Sequence, residues 1–393
     1  MKLQTLALHG VLATLLCSCN SQNMRMERLI ERQLNSAAEQ YEQLHHDLPE
    51  NRLPRTFNKE TGELVTSGSG WWCSGFFPGS LWYLYDHTGD TTLKKMAIQR
   101  SSLVEKEKHN VHTHDLGFML YNSLGNGLRI ADRNDYKSAL VTGAYSLSSR
   151  YNDTVGCIRS WDHGDWTFPV IIDNMMNLEY LLWAFRETGD STFHKIAISH
   201  ADNTIEHHFR NDYSSFHLVD FDTITGEVIG KQTVQGYSDE SAWARGQAWG
   251  FYGFVMMYRE TGKERYLKQA VRIADFIIHH PNLPEDKIPY WDYNAPNIPE
   301  AKRDASAGAI TCSALIELSD YVNPEMSAMF MEVAEQMLRT LSSPEYRTGM
   351  GENGNFLLKH SVGHLKAGSE VDVPLSYADY YYIEALMRMK ERL

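Results

Sequence analysis

The sequence predicts an all-α protein, an (α/α)6 barrel built as a toroid of helix hairpins with a few short β-strands. Three observations predict it. Apolar residues in YLKQAVRIADFII (Tyr266 to Ile278) recur at every third and fourth position, the spacing that lines one face of a helix. The stretches LWYLYDHTGD, LLWAFRETGD and FVMMYRETGKERYL each run from an apolar helical segment through Thr-Gly to a polar restart. Glycine just past the last turn tolerates the left-handed conformation that stops a helix. Runs of alternating β-branched residues are scarce, and FHLVDFDTITGEVIG is the one convincing hairpin, with Thr-Gly at its turn.

Taken in order, the helix pairs recur at roughly 45–75 residues, within or above the periods read as helical repeats. LGNGLRIADRNDYKSALVTGAYSL and TCSALIELSDYV are degenerate copies of the same unit. Five or six pairs fit between Ser36 and Leu393. A closed ring suits that length better than an open solenoid. No Pro/Gly/Ser-rich linker divides the segment, so 36–393 is expected to be one domain.

The N-terminus is a separate module. MKLQTLALHGVLATLLCSCNSQ places Lys2 before an apolar run from Leu3 to Leu16, too short for a stable membrane span. Leu16-Cys17-Ser18-Cys19 resembles a bacterial lipobox, with Cys19 as the lipidated residue. Bulky Leu16 makes Cys17 the poorer acceptor. The expectation is a signal peptide over 1–18, an anchor and linker over 19–35, and a lipid anchor in a bacterial membrane on its periplasmic side. The remaining Cys73, Cys157 and Cys312 form neither a zinc pattern nor a disulfide framework, which leaves buried free thiols. The net charge of −13 and the absence of basic runs argue against a nucleic-acid partner.

Polar and aromatic motifs gather at helix entries. WWCSGFFPGSLWYL, HTHDLGFML, SWDHGDW, IIDNMMNLEYLLWA and YSDESAWARGQAWGFYGF carry Trp71, Trp72, His114, Asp115, Trp161, Asp173, Trp243, Arg245, Gln247 and Trp249. Each has a plainer reading. Asp173 or Asp115 before a helix is a ready N-cap. The tryptophans suit a core, and Arg245 could pair with Asp239 or Glu240. HTHD lacks the further ligands that a metal site needs, so no metal is expected. The coincidence of two carboxylates with several tryptophans at matching helix entries points instead to carbohydrate chemistry.

HDLGF, WDHGDWTFPVIIDNMMNL, SxWARGQAW and PLSYADYYYIEALMR together resemble the unsaturated glucuronyl hydrolases, glycoside hydrolase family 88, from Trp71 to the C-terminus. The resemblance implies an (α/α)6 barrel without metal or cofactor. It also implies action on the unsaturated uronic acid that polysaccharide lyases leave at a chain end. A proton goes to C4, water adds to C5, and the resulting hemiketal opens and releases the next sugar. By the same resemblance Asp173 is the acid/base and Asp115 the partner that tunes it. His217 and Gln235 contact substrate, and Arg245, Trp243 and Trp249 meet the uronate and its ring. His114 and Trp161 flank the site, and Trp71 or Trp72 stacks on the sugar. Ser361, His364 and Lys366 resemble the Ser-x-x-(Ser or His)-x-Lys pattern of members that accept sulfated glycosaminoglycan fragments. Expected substrates are therefore unsaturated chondroitin, hyaluronan or heparin fragments. The alternatives are a galacturonyl hydrolase of pectin breakdown, an epimerase on the same barrel and a non-catalytic glycan-binding lipoprotein.

Overall fold

A computed structural model of the protein describes residues 3–393, with side chains described from Met24 onward. The expected signal peptide and Cys19 lie outside the described side chains. Among the described residues no helix is long and apolar enough to cross a membrane.

Twelve α-helices follow in order: α1 (Leu3–Asp47), α2 (Phe76–Thr88), α3 (Thr91–Val104), α4 (Asn126–Ala131), α5 (Lys137–Ser148), α6 (Leu178–Thr188), α7 (Ser191–His208), α8 (Ala244–Thr261), α9 (Glu264–His279), α10 (Ala305–Leu318), α11 (Pro324–Leu341) and α12 (Ser376–Lys390). A π-helical segment, Gly117–Gly125, leads into α4, and a 3-10 segment, Ile172–Asn177, leads into α6. Short strands sit in the connections: β1 (Leu53–Asn58), β2 (Glu63–Ser67), β3 (Tyr151–Asn152), β4 (Cys157–Ile158), β5 (Pro169–Ile171), β6 (Leu218–Phe221), β7 (Val228–Gln232), β8 (Ser361–His364) and β9 (Ser369–Val373). They form three antiparallel hairpins and the three-stranded sheet β5-β6-β7.

The helices close into a double ring. On the inside α2 packs on the Gly117–Ala131 segment, which packs on the Ile172–Thr188 segment. That segment packs on α8, α8 on α10, α10 on α12, and α12 back on α2. The outer ring is α3, α5, α7, α9, α11 and α1. This is the (α/α)6 barrel that the helix-pair repeat predicted.

The two rings differ in sequence because they differ in surroundings. Every residue of α10 is buried, and so is all of α8 from Ala244 to Met257. A helix that is apolar or small on all sides can only live inside. Outer α9 buries the single face Tyr266, Ala270, Ile273, Ala274 and Ile277. The Thr-Gly stops do what the repeat implied: Gly89, Gly189 and Gly262 end α2, α6 and α8 at φ of 70°, 75° and 63°. After two of them Asp90 and Asp190 cap the next helix, each accepting the N–H of the threonine two residues on. The hairpin read in FHLVDFDTITGEVIG is β6 paired with β7. Cys73, Cys157 and Cys312 are buried free thiols.

The first packed residues lie before Ser36. Met26, Ile30 and Leu34, spaced by four along α1, are buried in the core, so the second half of the expected linker packs as part of the barrel. Tyr41 on the same helix donates to the Asp379 carboxylate on α12 at 3.1 Å and joins the two ends of the chain.

All six inner segments begin at the same face. Trp72 precedes α2, Asp115 precedes the π segment, Asp173 lies just before α6, Arg245 opens α8, Asp304 caps α10 and Tyr377 opens α12. Each helix turns its partly positive N-terminal end toward that face. The arrangement offsets the net charge of −13 where an anionic ligand would arrive.

Candidate active site

The inner N-termini surround a cleft of about 850 Å³ lined by Trp71, Trp72, His114, Asp115, Trp161, Asp173, Gln235, Arg245 and His364, with Arg55 and Glu370 on a further wall. Residues from all five sequence motifs thus share one space.

Asp173 lies within the 3-10 turn that begins at Ile172 and does not cap it; residue Ile171 precedes the turn without a side-chain cap. Its Oδ2 is buried without a hydrogen-bond partner. Burial pushes this carboxyl up to about 7 against the pull of Arg245, with the nearby Asp115 carboxylate raising it further. An unpartnered buried carboxyl is a costly arrangement for a purely structural residue.

Asp115 is held locally. Thr113 Oγ1 donates to its Oδ2 at 2.9 Å and accepts its main-chain N–H at 3.1 Å, while His114 Nε2 lies 3.2 Å from its Oδ1 without making a hydrogen bond. His114 is buried, and its Nδ1 faces the Ser160 carbonyl at 2.9 Å, which places the ring proton on Nδ1. Burial keeps the ring below its ordinary pKa. The motif glycine has a physical reason. Gly117 and Phe118 donate their N–H groups to Asn177 Oδ1 at 2.8 and 3.3 Å, tying the Asp115 segment to the Asp173 turn. A Cβ on Gly117 would come within 2.6 Å of that oxygen.

The WDHGDW block shapes another wall. Asn174 donates to Ile158 O at 2.9 Å, and Ser160 Oγ accepts Ile171 N–H at 2.9 Å, so the Asp173 turn is pinned to this loop. Trp161 stacks on His163 and meets the ring of His217 edge-on at 5.6 Å.

Arg245 lines the cleft, but its guanidinium is committed to the protein. Nη1 donates to Asp304 Oδ2 at 3.2 Å and to the Val362 carbonyl, and Nη2 to Gln235 Oε1 at 3.1 Å and Gly363 O at 2.6 Å. It acts on the cleft chiefly as a fixed positive charge near Asp173. Trp243 and Trp249 lie beneath the cleft, 2% and 0% exposed. Trp249 packs on Phe118, Tyr377 and Tyr381, and Trp243 supports the Arg245 guanidinium 4.5 Å from its ring centroid. Both are core aromatics that carry the site, and neither lines the cleft.

The three residues matched to a sulfate pattern separate. His364 lines the cleft, Ser361 is fully buried with an unpartnered Oγ, and Lys366 is exposed between the lining residues His364 and Ala367 without itself lining the cleft. The β8–β9 pairing is irregular between Ser361 and Val362, at the end of the strand where Ser361 turns inward. Trp71 and Trp72 both line the cleft. Trp71 is 38% exposed, whereas Trp72 is wedged among Phe76, Phe118 and Tyr377.

Sequence reasoning missed Arg55, Glu370 and Tyr377. Arg55 and Glu370 are 315 positions apart and sit in plain polar strands, so no local pattern signals them. Tyr377 stood inside a quoted motif but gave no sign that it faced the cleft.

No family model matches the chain. Among individual proteins it is 45% identical over 371 residues to the unsaturated glucuronyl hydrolase of Formosa agariphila, covering 93% of this chain and 92% of that one. It is 33% identical over 325 residues to an unsaturated chondroitin disaccharide hydrolase of Streptococcus agalactiae, covering 81% of each. A solved unsaturated glucuronyl hydrolase specific for heparin superposes with a TM-score of 0.91 at 44% identity, over 93% of this chain and 98% of that one. With this identity across nearly the whole length and the same barrel, the chain belongs to the unsaturated glucuronyl hydrolases.

Proposed function

We propose that the chain removes the terminal unsaturated glucuronyl residue from glycosaminoglycan fragments, with Asp173 as acid and base and Asp115 as its tuning partner. The observation that carries the assignment is the largely buried Asp173 carboxyl, raised to about 7 in the cleft, with its Oδ2 buried and unpartnered. Protonating a carbon needs an acid that still holds its proton near neutral pH, and the step that follows needs the same group as a base. Neutral Asp173 delivers its proton to C4 of the vinyl ether. The positive charge that develops at C5 and the ring oxygen is met by water, whose proton returns to Asp173. The hemiketal then collapses by breaking the C5–O5 bond, which opens the ring to a C5 ketone and leaves a hemiacetal at C1, and breakdown of that hemiacetal to the aldehyde releases the next sugar. Neighbouring Asp115 stabilises the cationic transition state and, by its charge, keeps Asp173 protonated at rest.

Relatives named for heparin and for chondroitin disaccharides support the glycosaminoglycan class over pectin fragments. The lipobox at Cys19 supports a lipid-anchored protein on the periplasmic side of a bacterial membrane. Loss of radiolabelled lipid on Cys19→Ala would support the anchor, and retained label would refute it.

The decisive experiment follows the ultraviolet absorbance of the C4=C5 bond with unsaturated heparin and chondroitin disaccharides. Wild type should erase it and Asp173→Asn should not. Loss of signal with both would sink the acid/base assignment. No loss on any glycosaminoglycan fragment, with turnover of unsaturated galacturonides, would sink the substrate class.

A further inference from the structure

Arg55 lines the same cleft as Asp115 and Asp173 although it comes from β1, at the other end of the sequence from the rest of that wall. Its guanidinium carbon lies 4.2 Å from the ring centroid of the exposed Trp71. Nε donates to Glu370 Oε1 on β9 at 2.5 Å, and among the described residues neither Nη atom has a hydrogen-bond partner. The side chains of Arg55 and Trp71 are more exposed than that of Asp173, at 26% for Arg55 against 14% for Asp173, which puts them nearer the mouth of the cleft.

The charge inventory of the cleft gives this pair its meaning. Two arginines and no lysines are among the lining residues. Arg245 has both Nη atoms bonded to protein acceptors, so among the described residues Arg55 is the one lining guanidinium whose two Nη groups are free. Glu370 takes the Nε edge and the indole takes one face. The two Nη groups remain as a planar fork, which matches two oxygens of an oxyanion. Stacking on the indole removes water from one face of an already weakly hydrated cation and strengthens such a contact. Trp71 offers its remaining exposed surface to a sugar ring.

We propose that Arg55 and Trp71 form an outer subsite that binds a sulfate group on the sugar next to the unsaturated uronate. The inference rests on the reading of the cleft as a glycosaminoglycan site and names the group at its mouth. Glu370 is a positioning residue: it holds the guanidinium edge while the fork meets the ligand. This subsite borders the β8–β9 hairpin through Glu370 but uses neither Ser361, which is buried, nor Lys366, which does not line the cleft.

The test compares kcat/KM for matched 6-O-sulfated, N-sulfated and unsulfated disaccharides in wild type, Arg55→Gln, Arg55→Lys and Lys366→Ala. In Arg55→Gln the sulfated-to-unsulfated ratio should fall about tenfold, mostly through KM, for at least one sulfate position, and the position affected identifies the group bound. Arg55→Lys keeps the charge without the fork and should recover part of that ratio. Equal losses on sulfated and unsulfated substrates, no recovery with lysine, or a ratio that falls only in Lys366→Ala would overturn the proposal. If wild type turns over none of the disaccharides, the glycosidase reading fails separately. Calorimetric titration of the sulfated and unsulfated disaccharides into wild type and Arg55→Gln then decides the subsite, because selective loss of the sulfated ligand's affinity supports it and identical affinities refute it.

Discussion

His217 Nε2 stands 3.6 Å from Asp173 Oδ2, and the main-chain N–H of Gln235 decides which ring nitrogen faces the carboxyl. That N–H donates to Nδ1 at 3.3 Å, so Nδ1 presents a lone pair and the proton sits on Nε2. Burial and the Arg245 charge hold the ring far below its ordinary pKa, so it is neutral. A neutral N–H donor therefore faces the Asp173 oxygen that has no other partner. At 3.6 Å the hydrogen bond is not yet made, and loose contacts of this kind can tighten when substrate binds. The contact favours the carboxylate after the proton has left, without the full charge of an imidazolium.

Replacing His217 by alanine should thus raise the Asp173 pKa further. The expected outcome is a lower kcat, by about 10- to 100-fold, with the alkaline limb of the pH–rate profile moved to higher pH. A loss of rate with an unmoved profile would mean that the ring merely fills space.

Removing the neighbouring charge should do the opposite. Asp115 raises the Asp173 pKa, so Asp115→Asn lets Asp173 ionise earlier and brings the alkaline limb to lower pH. The rate falls most at pH 8 and least near pH 5, where Asp173 stays protonated in both proteins. A uniform loss at all pH values would show that Asp115 acts only through substrate contacts.

These two residues also show how much was legible beforehand. Asp115 and Asp173 stood out because each sits at a helix entry within a block of unusual composition, and the ring brings such entries together. The barrel was legible for the same reason: Thr-Gly stops and single-faced helices are local signals. Arg245 shows the limit. Its sequence setting suggested a ligand contact, but Asp304, Val362, Gln235 and Gly363 take its donors, and three of those acceptors lie 59 to 118 positions away. Satisfaction of a buried cation is a tertiary property that no motif records. Ser361 is similar: its complete burial, beside an irregular step in the β8–β9 pairing, is not written in the local pattern. Trp243 and Trp249 looked like platforms and are core, because the helix they open is buried all round.

The two adjacent tryptophans left unresolved in the sequence should separate by experiment. Trp71 is exposed, and its loss in Trp71→Ala should raise KM severalfold with little change in Tm. Trp72 is wedged among three aromatic rings, and Trp72→Ala should destabilise the fold by about 2–4 kcal/mol. Circular-dichroism melts alongside kinetics distinguish the cases. A stable Trp72→Ala protein with a raised KM would make Trp72 the sugar platform instead.

The strain at Asp173 should be visible as a cost in stability. Its carboxyl titrates at about 7 in the folded protein against 3.8 as the ordinary value. Between those limits the folded chain binds a proton that the unfolded chain has released. Stability from this group is therefore complete below pH 4 and is lost as pH climbs through 7. The full difference corresponds to about 4 kcal/mol, and some solvent access reduces what is realised. Asp173→Asn cannot ionise and escapes the loss. The variant should be inactive, within about 1 °C of wild type in Tm near pH 4, and more stable by about 3–5 °C at pH 8. Calorimetric or fluorescence melts of both proteins across this range make the test. Parallel Tm curves would mean that Asp173 is ionised and satisfied in the resting protein, which would remove the acid from the mechanism.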